Sequence, residues 1–450
     1  MDTRCSRIVF AFALGMMLGG CAGGSAGPNP PTALAAAPAG RELPPPSTLN
    51  WENFGMDPGL SAYNSKETTL NPSNVPGLGL LWSSTSANVQ GIWGLVEDGG
   101  KFFVESTPGG GAAYLTAIDQ STGAQAWSSE LYNFGCCAGI AAGDGLVFAP
   151  CELGGNVQEQ GLCAFGQTGG KLKWSYTNSC NCSPPSYVGT PPVYSKGVVY
   201  FEYVFGSTGQ NGYFIAADAK SGTPLWTYGC SYNCGWVAVA NGPLPAVGGS
   251  NVYFACNNYH TPPFNGLCAF NASNGNLLWK YSGASGGNSA VSVAGGTIYM
   301  QQDGNGSETI TALNSSGSVL WTNSSVCPAS ERCANPNPPA VGGGRVYVLG
   351  GGNALYALNA KSGAQKWVSS PACGGYVSSP SVANGVVYLD AGIHCEDTYA
   401  LSAANGNLLW QAPYGGYGYG APPIILNGTL YANCGALCAY GLSGDVKKRR

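Results

Sequence analysis

Cys136 and Cys137 stand side by side in Gly135-Cys-Cys-Ala138, and a bridge between neighbouring cysteines would close a rigid ring able to stack on a flat ligand. The chain holds 18 cysteines and only two histidines, His260 and His394. No Cys-x-x-Cys-His haem site, phosphate loop or Ser-His-Asp spacing occurs. His394-Cys-Glu-Asp397 has metal-ligand chemistry, but an exposed polar loop explains it equally well, and no metal site is assigned. Tyr414, Tyr417 and Tyr419, among glycines, offer rings that would stack on a sugar or peptide or simply cover a channel mouth. Arg332 and Arg345 are the only arginines between residue 48 and the closing Lys447-Lys-Arg-Arg450. A formal charge of −4 leaves no basic field for nucleic acid, and the closing run is a solvated end.

These residues need a frame, and the composition limits which one. Only 9% of residues are charged, and 70 glycines and 30 prolines suit short strands and tight turns. At the N-terminus Arg4 and Arg7 precede an apolar run, Ile8 to Leu18, too short for a stable span, so residues 1–20 read as a signal peptide. Leu18-Gly-Gly-Cys21 resembles the bacterial lipoprotein cleavage box, which implies lipidation of Cys21 and a place in the cell envelope, at the outer membrane where the host has one, or secretion. Residues 21–48, rich in Ala, Gly and Pro, form a flexible tether. Residues 49–446 are the folded domain, expected to be a monomer, and 447–450 a basic tail.

A repeat organises that domain. Trp127, Trp174, Trp226, Trp279, Trp321, Trp367 and Trp410 each have a glycine four residues earlier. Six also have an alanine ten residues earlier, and Ala312 sits nine before Trp321. An apolar–aromatic pair precedes each alanine strand, from Phe102-Phe103 to Leu430-Tyr431. Trp82 ends a strand lacking its partner, and Leu437-Cys-Ala-Tyr-Gly-Leu-Ser-Gly444 is a partner lacking its tryptophan strand. The reading is all-β: an eight-bladed β-propeller of four-stranded antiparallel blades, closed by pairing of the N- and C-terminal segments.

The cysteines follow the same register. Cys151, Cys256 and Cys434 lie three residues after the second-strand aromatic, and Cys163, Cys268 and Cys438 directly precede the third-strand alanine. This predicts Cys151–Cys163, Cys256–Cys268 and Cys434–Cys438. Cys230–Cys234 and Cys327–Cys333 are expected as local closures on the loop-bearing rim. Cys136, Cys137, Cys180, Cys182, Cys373 and Cys395 have no assigned partners. So many thiols point to an oxidising compartment.

Ala-x-[Asp/Asn]-x-x-[Thr/Ser/Asn]-Gly-x-x-x-Trp resembles the repeat of pyrroloquinoline-quinone-type eight-bladed propellers, the quinoprotein alcohol dehydrogenase-like superfamily. That superfamily holds both dehydrogenases and non-enzymatic binding platforms, among them an outer-membrane assembly lipoprotein, and fold does not choose between them. The resemblance implies, for the dehydrogenases, a quinone with calcium, with Cys136 and Cys137 over the cofactor and Gln90 and Arg332 in its surroundings. Gln90 stands where those enzymes carry a glutamate, and a tricarboxylate with two arginines at hand lacks cationic partners. The reading adopted is a non-catalytic module that binds an envelope protein, a small molecule or a glycan at its loop rim. The quinone-dependent dehydrogenase is the alternative.

Overall fold

In the computed structural model the repeat becomes a four-stranded antiparallel sheet. The structure describes residues 49–132, 139–153, 156–176, 186–188, 190–205, 211–230, 244–258, 264–283, 289–303, 308–327, 337–370, 377–391, 397–413 and 421–442. Blade one shows the pattern, with strands Ile92–Asp98, Lys101–Ser106, Ala113–Asp119 and Gln125–Tyr132 running from the axis outward. Phe103 pairs with Ala117, and Ala117 with Trp127. The same trio recurs in every blade, for example Tyr253, Ala269 and Trp279, or Tyr347, Ala357 and Trp367. Alanine is required between them because the two rings meet above it, their centroids 5.9 Å apart in both of those blades.

A one-residue bulge just before each tryptophan turns the indole toward the following blade. In most blades it covers the turn glycine and donates its N–H to a backbone carbonyl, as Trp127 does to Gln167 O at 2.8 Å and Trp226 to Ala272 O at 2.9 Å, whereas Trp82 Nε1 is buried without a partner. The glycine is needed on two counts. Gly170 has φ +66°, and a methyl group on it would lie 2.5 Å from the Trp127 ring. Gly170→Ala should therefore cost about 2–4 kcal/mol, from left-handed strain and overlap together, read as a lower denaturant midpoint with unchanged slope.

The ring closes through its termini. Strand Leu78–Ser83 pairs antiparallel with Leu437–Leu442, the third strand of blade eight, and sets Trp82 opposite Ala439. A short 3₁₀ turn, Val75–Gly77, leads into it. Trp82 then lies on Gly123 of blade one, as Trp127 lies on Gly170. Eight apolar clusters fill the eight seams, so each sheet is buried on both faces. Between blades two and three a further strand, Ser186–Val188, pairs with residues of both neighbours.

Disulfides Cys151–Cys163 and Cys434–Cys438 join second and third strands, with Cα atoms 5.8 and 5.9 Å apart. Cys268 is also disulfide-bonded. Backbone pairing of Phe254 with Cys268 and of Cys256 with Gly266 repeats the register of the bridge in blade two, where Ala149 pairs with Cys163 and Cys151 with Gly161. Among the described residues no helix is long and apolar enough to cross a membrane, a statement that leaves strand-built spans aside.

Candidate functional site

The axis of the ring has two mouths, and the N-terminal segment closes one of them. Residues 51–64 visit the innermost strand of all eight blades in order. Trp51 exchanges backbone hydrogen bonds with Glu97 of blade one at 2.9 and 2.8 Å, and Glu52 O accepts from Ala142 of blade two at 2.8 Å. The Asn53 amide pairs with the Tyr194 backbone of blade three, its Oδ1 accepting at 2.7 Å. Pro58, Gly59, Ser61 and Ala62 carbonyls accept from Val247, Val293, Val341 and Val382 at 2.6–2.8 Å. Asn64 donates to Ile425 O of blade eight at 2.7 Å, and Tyr63–Asn64 runs parallel to the inner strand of blade seven.

Tight corners let so short a segment turn through the circle. Met56, Leu60 and Ala62 adopt φ of +73°, +58° and +50°, and the Asp57 carboxylate accepts from the Ser61 amide and hydroxyl. Burial pushes the Asp57 carboxyl up. The partners are the turn ends of the inner strands, so this belt shuts the face carrying the glycine turns.

The other mouth is the loop rim. Its described part is built from the residue two past each second-strand aromatic: Glu105, Glu202, Gln301, Asp390 and Asn433 in blades one, three, five, seven and eight. All five are buried. Glu105 accepts from Tyr132 Oη at 3.2 Å and from the Gly139 amide of blade two at 2.8 Å. Gln301 donates to Glu308 Oε2 at 2.9 Å and to Leu349 O of blade six at 2.7 Å. Asp390 accepts from Thr398 Oγ1 at 2.6 Å and, over 3.4 Å, from the Asn433 amide of blade eight. Burial raises the Asp390 carboxyl to about 7, against which the Thr398 and Asn433 bonds work, and holds Glu202 well above the usual carboxylate range.

Glu105, Gln301 and Asp390 latch one blade to the next, whereas Glu202 is buried with its Oε1 unpaired. Among the described residues no cluster of His, Cys, Asp or Glu is arranged to hold a metal ion. Gln90 is exposed in the rim loop before Ile92. Cys21, Cys136, Cys137, Arg332, both histidines and Tyr414, Tyr417 and Tyr419 lie outside the described residues. So do Cys180, Cys182, Cys234, Cys333, Cys373 and Cys395. The belt and the latches were not anticipated. A polar residue within an otherwise apolar second strand was the available signal for the latches.

A family model described as outer membrane protein assembly factor BamB matches residues 79–206, 210–330 and 306–447, three runs that together span most of the ring. The chain belongs to this BamB family. No curated protein sequence matches it. Among solved structures, BamB from Moraxella catarrhalis aligns at TM-score 0.58 and 13% identity, covering 82% of this chain and 98% of that one. Quinohemoprotein alcohol dehydrogenase ADHIIG from Pseudomonas putida HK5 aligns at TM-score 0.68 and 15% identity, covering 89% and 81%. The quinohemoprotein alcohol dehydrogenase of Comamonas testosteroni gives 0.66 and 17%, covering 88% and 80%. At such identities the likeness is one of fold, which a BamB and the dehydrogenases share.

The described part of this BamB-family rim does not fit the quinone. A tricarboxylate needs cations at its carboxylates. Every described lysine and arginine lies on the turn face, on an outer strand or in the crossing segment after the belt, and none is on the rim. Arg345 opens the second strand of blade six directly after the Gly343-Gly344 turn, on the far face. The ionisable groups buried beneath the rim are instead carboxyls.

Proposed function

We propose that this chain is a non-catalytic scaffold of the cell envelope, held to a membrane through lipidated Cys21 and binding an envelope protein through its loop rim. The observation that carries the reading is the BamB-family match along most of the ring. Consistent with it, Glu105, Gln301 and Asp390 beneath the rim secure blade against blade, and one mouth of the axis is shut. A closed ring of sandwiched sheets holds its loops in fixed relative positions, which suits recognition.

Photo-crosslinking tests this in the native envelope. A benzoylphenylalanine at Gln90, exposed on the rim, is expected to give a discrete adduct with one envelope protein. The purified chain given pyrroloquinoline quinone and calcium should lose all quinone absorbance on desalting. Quinone that survives desalting together with dye reduction by alcohols would replace the scaffold with a dehydrogenase. A glycan adduct at Gln90 would replace the protein partner with a sugar.

A further inference from the structure

We infer that the glycine-turn face lies against the lipid surface, so that the loop rim points away from the membrane. This rests on the membrane-anchored reading and adds an orientation to it. The first observation is where the chain joins the ring. Asn50 donates to Asp98 Oδ1 at 2.7 Å, beside the Gly99-Gly100 turn of blade one, and Trp51 pairs with Glu97. The described chain therefore begins at the turn face of the domain. The tether expected from the Ala, Gly and Pro of residues 21–48 would reach about 30 Å root-mean-square. It confines the domain near a membrane without fixing which side faces the lipid.

A second feature supplies the side. Large aliphatic side chains stand half exposed where the outer strands leave the turn face: Leu172, Leu225, Leu278, Leu320 and Leu408, at 54, 54, 47, 53 and 51%. They occupy equivalent places, one or two residues before the tryptophans of blades two, three, four, five and seven. In blade one the equivalents are Gln125 and Ala126, and in blade eight Leu81 is covered. The perimeter of one face thus carries an aliphatic group on most blades.

Lysines accompany them on blades two and three and stand in their place on blade six. Lys171 and Lys173 flank Leu172, Lys220 lies in the turn before Leu225, and Lys361 and Lys366 occupy the turn and outer strand of blade six; all are exposed. The carboxylates Glu52, Asp98 and Asp144 lie near the axis, where the chain joins, while Asp119 and Asp218 in the perimeter turns of blades one and three bond their own turn residues. Aliphatic groups among lysines, beneath small polar turns, match the boundary between acyl chains and anionic headgroups. A protein partner would ask for one compact patch depleted of lysine. A ring of separate contacts on the rim of a flat face is what a plane can meet all at once.

The test uses the full chain in vesicles of equal parts phosphatidylethanolamine and phosphatidylglycerol. Benzoylphenylalanine replaces Leu278 in one variant, Leu320 in a second and Gln90 in a third. Lipid adducts are expected at Leu278 and Leu320, at least tenfold above Gln90. Equal yields at the two faces, no lipid at Leu278 and Leu320, or a protein adduct there would overturn the orientation. Mass analysis of the N-terminal peptide reads the anchor separately. An acylated chain with lipid-free probes at Leu278 and Leu320 sinks the orientation alone, and an unacylated Cys21 sinks the anchor. In Cys21→Ser protein, flotation with vesicles should fall severalfold when Leu278 and Leu320 are both changed to Asp. Flotation unchanged by that pair would count against the aliphatic perimeter.

Discussion

Excising residues 51–64 should leave a chain that no longer folds cooperatively, although every blade keeps its four strands. The segment supplies a hydrogen-bond partner to the inner strand of each blade and buries Trp51, Phe54 and Leu60 against the axis. Without it the turn ends of eight inner strands present unpaired amides and carbonyls to one another around a narrow opening. The lost hydrogen bonds, about 0.5–1.5 kcal/mol each, and the lost burial of three large side chains, about 1.5–3 kcal/mol each, together reach the usual stability of a domain. A single methyl group offers a milder test. At Gly59 it would press on the Val293 carbonyl, while the Val293 amide is held to Gly59 O at 2.6 Å, so neither strand can retreat. Gly59→Ala is expected to cost about 2–4 kcal/mol, seen as a lower urea midpoint with unchanged slope. A truncated chain that melted as sharply and as high as the parent would show that the belt is an ornament of the ring and not its hub.

The contrast between belt and blades explains what could be read from the residues alone. Tryptophan, glycine and alanine recur at fixed spacing because each trio meets within one blade, over separations that a local repeat reveals. Trp82 opposite Ala439 was legible for the same reason, since each end of the chain showed half of a familiar unit. Trp51–Asn64 has no repeat, for each of its residues answers to a different blade. Asn64 meets Ile425 across 361 positions, and only the finished circle brings them together. The loop rim is the reverse case. Its cysteines, tyrosines and Arg332 could be picked out by type, but their partners depend on loop paths that no strand period dictates. The latches fall between: Glu105 and Asp390 sit at one repeat position, yet the donors they meet belong to the next blade.

Acid should stabilise this protein. Glu97, fully buried beside Trp51, has its carboxyl pushed up to about 8 by burial, with the nearby Asp98 and Glu52 carboxylates adding to the rise and the Gly100 amide opposing it. Asp390 is raised to about 7, and Glu202 is raised by burial alone. In the unfolded chain all three release their protons near pH 4. Between there and pH 8 the folded state therefore holds more protons than the unfolded state, and stability falls as pH rises through that window. Each unit of displacement corresponds to about 1.4 kcal/mol, so several kcal/mol separate pH 5 from pH 8 even after allowance for relaxation around the ionised groups. The surface carboxylates that work the other way, Asp119 and Asp218, are lowered by their own turns and act below pH 4. Urea midpoints measured from pH 5 to pH 8 should fall steadily. Asp390→Asn keeps an acceptor for the Asn433 amide and a donor for the Thr398 hydroxyl but cannot ionise, and should remove the part of the slope centred near pH 7. A midpoint that rose with pH, or a slope untouched by that substitution, would mean that these carboxyls are ionised in the folded ring and that the seams are wet.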